Sequence, residues 1–270
     1  MREISRDWTD VLASVTKIIL KAGELAQLVR VEGLERQRKS HQDFVTAADL
    51  KVEAYVRDCL ATLFPNDHVF GEEQTEGQPG GNGASREGES VIWILDPVDG
   101  TSNFAAGLDM WCLSLGAVHK GETVLGVIYA PDRRELYTAV RGEGAVLNGK
   151  PLSVSQDVPP EQALIMTGRG AILPAEQYLT VLRRLMEAGY EYRRYGSGAL
   201  GIAMVATGTI QGYIETGMWP WDVAAARLIV TEAGGYISPF PLSPAKREPG
   251  PPLVACQQGL EDSLHSVLTG

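Results

Sequence analysis

The stretch Val91 to Phe104, V-I-W-I-L-D-P-V-D-G-T-S-N-F, limits the possible folds more than any other part of the chain. Val91-Ile92-Trp93-Ile94-Leu95 is an apolar run long enough for a buried strand. It ends abruptly in two acids, Asp96 and Asp99. Pro97 pushes Asp96 into an extended conformation and donates no hydrogen bond. This leaves the Val98 carbonyl free as a further oxygen ligand. Gly100 and Thr101 follow with backbone N–H groups and a hydroxyl at the start of a turn or helix, where anions bind well. The expectation is a strand end that holds a cation and an oxyanion together. D-P and D-G are also common turn dipeptides, so turn chemistry alone is the competing account.

The elements around this stretch follow from spacing. Trp8, Val11, Leu12, Val15, Ile19, Ala22, Leu25, Ala26 and Val29 recur at helical intervals and predict a first helix over 7–30. The segment from Arg36 to Asp43 is basic and polar. Thr46-Ala47-Ala48-Asp49 fits a capping box that opens a second helix ending at Pro65. Val69-Phe70 is a short strand, with Gly71-Glu72-Glu73 directly after it. Residues 74–90 are Gly-rich and polar, the composition of a mobile loop or flap between two acidic clusters. Beyond the central stretch, 110–119, 122–130, 136–140 and 144–147 read as a strand meander, with Asn148-Gly149 as a hairpin signal.

The second half alternates. Strands are expected at 163–167, 190–195, 212–215 and 253–256. Helices are expected at 175–188, 199–206, 222–233 and 259–268. In the 175–188 helix Tyr178, Leu179, Leu182, Leu185 and Met186 should face inward. Residues 1–155 therefore form an α+β lobe of two helices and a mainly antiparallel sheet, and 156–270 an α/β lobe, joined in one compact unit.

Five acids stand at element ends: Asp49, Glu72, Asp96, Asp99 and Asp222. Carboxylates and a carbonyl are hard ligands and suit Mg²⁺. Each acid also has an ordinary explanation: Asp49 and Asp222 as helix-start residues, Glu72 as solvated surface. The chain carries 24 basic and 34 acidic residues, a net charge of −10, which argues against nonspecific nucleic-acid binding. Its three cysteines are far apart and form no zinc or disulfide pattern. No segment reads as a signal peptide or membrane span, so a cytoplasmic enzyme is the expectation. The histidines lie at no ligand spacing. Ser197 lies in G-S-G without the frame of a nucleophile turn and reads as a helix cap.

Together these residues resemble the inositol monophosphatase family of Mg²⁺-dependent, lithium-sensitive phosphatases. The likeness rests on D-P-V-D-G-T-S-N-F and on W-D-V-A-A-A with T-E-A-G-G downstream. F-G-E-E, the segment from Asp43 to Asp49 and G-S-G-A-L before V-A-T-G match in order. The resemblance implies a layered αβαβα sugar-phosphatase fold, usually as a homodimer. It implies two or three Mg²⁺ ions held by Glu72, Asp96, the Val98 carbonyl, Asp99 and Asp222. Gly100 and Thr101 would contact phosphate, with Thr101 and Glu72 positioning the attacking water and Asp49 orienting Thr101 or holding a metal-bound water. Gly196, Ser197, Gly198 and Glu215 would contact a polyol such as inositol monophosphate. Gly198 stands where family members often have alanine. Fructose-1,6-bisphosphatases and 3′(2′),5′-bisphosphate nucleotidases share the metal signatures and are the alternative activities. A regulatory binding protein on the same fold is the alternative from a different class.

Overall fold

The computed structural model describes residues 6–33, 36–40, 43–73, 91–154, 158–170, 174–242 and 249–270; the 74–90 segment lies outside them. Helix α1 (Trp8–Glu32) starts at Asp7, whose carboxylate accepts from the N–H groups of Thr9 and Asp10. Strands β1 (Arg36–Ser40) and β2 (Asp43–Thr46) pair as a hairpin. Arg36–Ser40 of the basic segment thus form a strand, which their polar composition did not signal. Helix α2 (Ala47–Leu63) opens with the expected capping box. Thr46 Oγ1 accepts from Ala48 N, and Asp49 Oδ2 accepts from Thr46 N at 2.8 Å.

Strands β3 (His68–Gly71), β4 (Ile92–Asp99), β5 (Cys112–His119), β6 (Glu122–Ala130), β7 (Glu135–Val140), β8 (Gly144–Leu147) and β9 (Lys150–Pro151) form one sheet in chain order. Only the β3–β4 pair in it is parallel. A short helix α3 (Thr101–Ala106) lies between β4 and β5. A second sheet has the order β11-β10-β12-β14-β13. It contains β10 (Leu164–Thr167), β11 (Glu191–Arg193), β12 (Gly212–Glu215), β13 (Tyr236–Ile237) and β14 (Leu253–Cys256). Here β10, β11 and β12 run parallel, and β14 runs antiparallel to its neighbours. The remaining helices are α4 (Ala175–Glu187), α5 (Gly198–Val205), α6 (Pro220–Glu232) and α7 (Glu261–Thr269).

Side-chain alternation along the strands stacks these elements into five layers, αβαβα. Trp93, Leu95, Leu113 and Leu115 pack with the apolar faces of α1 and α2. Ile94, Cys112 and Ile128 point the other way, into a core shared with α5, α6, Met166 and Tyr213. Ile165, Ile214 and Val254 turn to the far side of the second sheet, against Val181 and Leu185 of α4 and Leu264 of α7. Helix α4 corrects the expected inward face. Val181 and Leu185 are buried, whereas Leu179 and Met186 are 53% and 57% exposed. Seven residues make almost two helical turns, so these two share the outer face. Among the described residues no helix is long and apolar enough to cross a membrane.

Helix α6 lies unusually close to the large sheet. Gly116 of β5 and Gly126 of β6 are register partners beneath it. A Cβ at Gly116 would come within 2.9 Å of Ala224 Cβ, and one at Gly126 within 2.7 Å of the Ala225 carbonyl oxygen. The approach lets Ser114 Oγ and Thr123 Oγ1 donate to the carbonyls of Trp221 and Ala224, each at 3.0 Å. Substituting Gly126→Ala should therefore destabilise the protein by about 1–3 kcal/mol through overpacking. The measurement is the urea midpoint at unchanged slope; a midpoint within error of wild type would show that α6 can lift without cost.

Candidate active site

A cavity of about 410 Å³ opens where strand ends from both sheets meet the first turns of α5 and α6. From the large sheet it receives the carboxyl ends of the parallel β3–β4 pair. Glu72 N donates to Leu95 O at 3.1 Å, which extends this ladder one residue and sets Glu72 beside the β4 acids. On β4 the register with β5 slips: Asp96 faces Ser114, and Asp99 faces Cys112. Three steps on β4 thus oppose two on β5, a bulge at Pro97-Val98. The bulge sets the site, because residues an odd number apart on a regular strand point to opposite faces. The extra residue returns Asp99 to the face that carries Asp96. An Asx-type bond, Val98 N to Asp96 Oδ1 at 3.0 Å, holds the turn.

Asp222 comes from the third residue of α6, where its Oδ2 accepts from Trp219 N at 3.1 Å. One carboxylate oxygen each from Asp96, Asp99 and Asp222 lies within 4.8 Å of the others. Glu72 lines the same cavity. Asp99 also caps α5. Its Oδ2 accepts from Ser197 Oγ at 2.5 Å and Ala199 N at 2.8 Å, and its Oδ1 from Gly198 N at 3.0 Å. Ser197 occupies the cap position but makes no cap bond of its own; the cap comes from 98 residues upstream.

Burial pushes Asp96 well above the usual carboxylate range, and Glu72, Asp99 and Asp222 add like charge. Asp222 is also pushed well up, by burial and then by Asp99. Burial raises Asp99 too, while its four donors from Ser197 and the α5 backbone oppose the shift. Acids so arranged cannot all ionise together without a cation. Their oxygens, with the Val98 carbonyl on the cavity wall, fit a hard divalent ion such as Mg²⁺. Neither histidine nor cysteine is in the acidic triad, which disfavours softer metals.

Thr101 Oγ1 lies 3.0 Å from the Val98 carbonyl oxygen and 3.3 Å from Asp49 Oδ1. Burial pushes Asp49 up to about 6, against the hydrogen bonds from Thr46. Gly100 has φ +89°, and a Cβ there would meet Met110 O at 2.9 Å, so the turn needs glycine. Gly196, Ser197, Gly198 and Glu215 all line the cavity. Glu215 ends β12, accepts from Tyr213 Oη, and is pushed by burial up to about 7. Asp49 is the one sequence-selected acid outside the lining, and reaches it through Thr101.

The structure adds lining residues that sequence reasoning did not select, Arg169, Arg194 and Tyr213; the stacked pair Trp219–Trp221 at the start of α6, with ring centroids 5.0 Å apart, lines the cavity too. Arg169 follows the expected strand 163–167, and Arg194 lies near the end of the expected strand 190–195, just past the observed β11. The rule that ligands collect at the carboxyl ends of parallel strands could have found them. Parallel pairing, however, is not visible in one strand at a time.

The inositol monophosphatase family model matches residues 7–265. The Nus factor SuhB of Escherichia coli K12 is 36% identical over 211 residues, 77% of this chain and 76% of that protein. Among solved structures, the extragenic suppressor protein SuhB of Bartonella henselae superposes with a TM-score of 0.84 at 30% identity, covering 96% of this chain and 98% of that one. The inositol monophosphatase of Anabaena superposes with a TM-score of 0.78 at 30% identity, covering 97% and 96%.

The mutual repulsion makes a measurable demand. In EDTA, Asp96→Asn should be at least as stable as wild type, since it removes one of the crowded charges. Millimolar Mg²⁺ should raise the wild-type melting temperature and leave that of Asp96→Asn nearly unmoved. Equal Mg²⁺-dependent shifts in thermal melts of the two proteins would overturn the metal assignment.

Proposed function

Because this chain belongs to the inositol monophosphatase family, we propose that it is a Mg²⁺-dependent phosphomonoesterase that hydrolyses inositol monophosphate to inositol and phosphate. The observation that supports this most is the Asp96–Asp99–Asp222 triad, with Asp96 and Asp99 buried and Asp222 half-buried, in a cavity shared with Glu72 and Thr101. Those four carboxylates and the Val98 carbonyl would hold the two or three ions of the proposal. Bound there, Mg²⁺ supplies a Lewis acid for the phosphoryl and leaving oxygens and makes water a better nucleophile.

The protein's own groups divide the remaining work. The Thr101 hydroxyl proton is taken by Asp49 Oδ1 or the Val98 carbonyl, so its oxygen lone pairs are free to accept from a water. The Glu72 carboxylate can accept that water's other proton. Glu215 and the Gly196-Ser197-Gly198 turn line the same cavity and would face a polyol attached to the phosphate, with the Glu215 carboxylate able to accept from its hydroxyls. Direct attack by water is favoured over a covalent route. The buried Ser197 hydroxyl is committed to Asp99, burial and then the Asp99 and Asp96 charges push the Cys112 thiol well up, and no histidine lines the cavity among the described residues.

A purely regulatory role has no use for acids whose repulsion opposes folding, so their presence favours catalysis. Lithium inhibition and a cytoplasmic homodimer belong to the same reading. The test is phosphate release from inositol 1-phosphate with Mg²⁺ and with EDTA, beside fructose 1,6-bisphosphate and adenosine 3′,5′-bisphosphate. Asp222→Asn should lower kcat/KM by about 1,000-fold or more, the equivalent of losing several kcal/mol of metal stabilisation. Wild-type turnover by Asp222→Asn in saturating Mg²⁺ would refute the mechanism, and faster turnover of another substrate would reassign the specificity.

A further inference from the structure

Helix α2 carries two buried acids one turn apart, Asp49 and Glu53, and neither lines the cavity. Asp49 reaches the site through Thr101. Glu53, only 4% exposed, engages the end of β3 instead. Its Oε1 accepts from Arg57 Nε at 2.9 Å, and Arg57 Nη1 donates to the Val69 carbonyl of β3 at 2.8 Å. Its Oε2 accepts from Glu73 N at 2.9 Å. A Cβ at Gly71 would fall 2.4 Å from Glu53 Oε2, so the carboxylate lies against bare backbone.

Glu72 stands between the residues that Glu53 touches. Strand β3 is at the edge of the large sheet and pairs with β4 alone. On the β4 side, Glu72 N donates to Leu95 O at 3.1 Å. The next N–H, that of Glu73, goes to Glu53, which takes the place of a strand on the open side. These two bonds fix both peptide planes that flank the Glu72 Cα, and with them the direction of its Cα–Cβ bond. The acceptor has to be a carboxylate. It receives a guanidinium on one oxygen and a peptide N–H on the other, whereas a glutamine amide would turn its own NH₂ towards one of these donors.

We propose that Glu53 is a positioning residue for metal binding: through the Glu73 N–H it holds the Gly71-Glu72-Glu73 turn so that the Glu72 carboxylate meets Asp96, Asp99 and Asp222. The proposal rests on the reading that these acids bind Mg²⁺, and it concerns a group that touches neither ion nor substrate. Loss of a residue that holds a metal ligand in place typically weakens metal binding by about 10–100-fold.

The experiment is calorimetric titration with Mg²⁺, without substrate, of wild type, Glu53→Gln, Glu72→Gln and the double variant. Glu53→Gln should weaken Mg²⁺ binding by about tenfold or more. In the Glu72→Gln background the same change should add less than about twofold, because the ligand it positions is already gone. A purely structural salt bridge would instead lower the melting temperature in EDTA and leave Mg²⁺ affinity unmoved. That outcome, or an equal loss of affinity in both backgrounds, would overturn the proposal. If Glu53→Gln does not fold, Glu53→Asp takes its place. It keeps the charge, is one methylene too short to reach Glu73 N, and should show the same loss; wild-type affinity there would overturn the proposal too. No saturable Mg²⁺ binding by wild type would instead show that the metal reading itself fails, and the positioning role with it.

Discussion

The close seating of α6 on the large sheet is the contact on which the rest of the site depends. Two paired glycines and a run of alanines, Ala224 to Ala226, remove side-chain bulk from both surfaces. The backbones then approach until sheet hydroxyls bond to helix carbonyls. The α6 axis sets the position of its third residue, Asp222, and so the meeting of Asp222 with Asp96 and Asp99. Bulk between sheet and helix would move that carboxylate by the thickness of a methyl group, enough to spoil an ion's coordination.

Against this tight packing, the carboxylate group itself opposes folding. Asp96, Asp99 and Asp222 are like charges in a poorly solvated place, and each raises the cost of ionising another. The protein offsets part of this without a metal. Asp99 accepts four hydrogen bonds from Ser197 and the first turn of α5, which use an anion to cap a helix. One residue therefore links the acidic cluster to the first turn of α5. The second sheet adds Arg169, Arg194 and Glu215 to the lining, so strand ends and helix starts from three layers meet at the cavity.

Much of this was legible in the chain. The run from Val91 to Asp99 showed a buried strand that ends in acids, because apolar continuity and a proline after an acid are local facts. The Thr46–Asp49 capping box and the Asn148-Gly149 hairpin formed as read, since both motifs are decided within four residues. The β1 strand escaped notice because its own residues, R-Q-R-K-S, show no apolar alternation, and it is defined by pairing with β2. On α4 the expected inward residues Leu182 and Leu185 do pack into the core, but Leu179 and Met186 do not, because only the neighbouring layer decides which stripe is buried.

What the sequence determined by itself is the local chemistry: which acids stand at element ends, that the ligands are oxygens, and that two signatures a hundred residues apart belong to one family. The tertiary structure alone decided how those acids meet. The Pro97-Val98 bulge returns Asp99 to the face of Asp96, and the glycine seat of α6 delivers Asp222 to them. It also decided that Asp99 caps a helix far along the chain, and that Arg169 and Arg194 line the same cavity as the acids. The reason is physical: register and parallel pairing are relations between strands, and no strand carries its partner in its own residues.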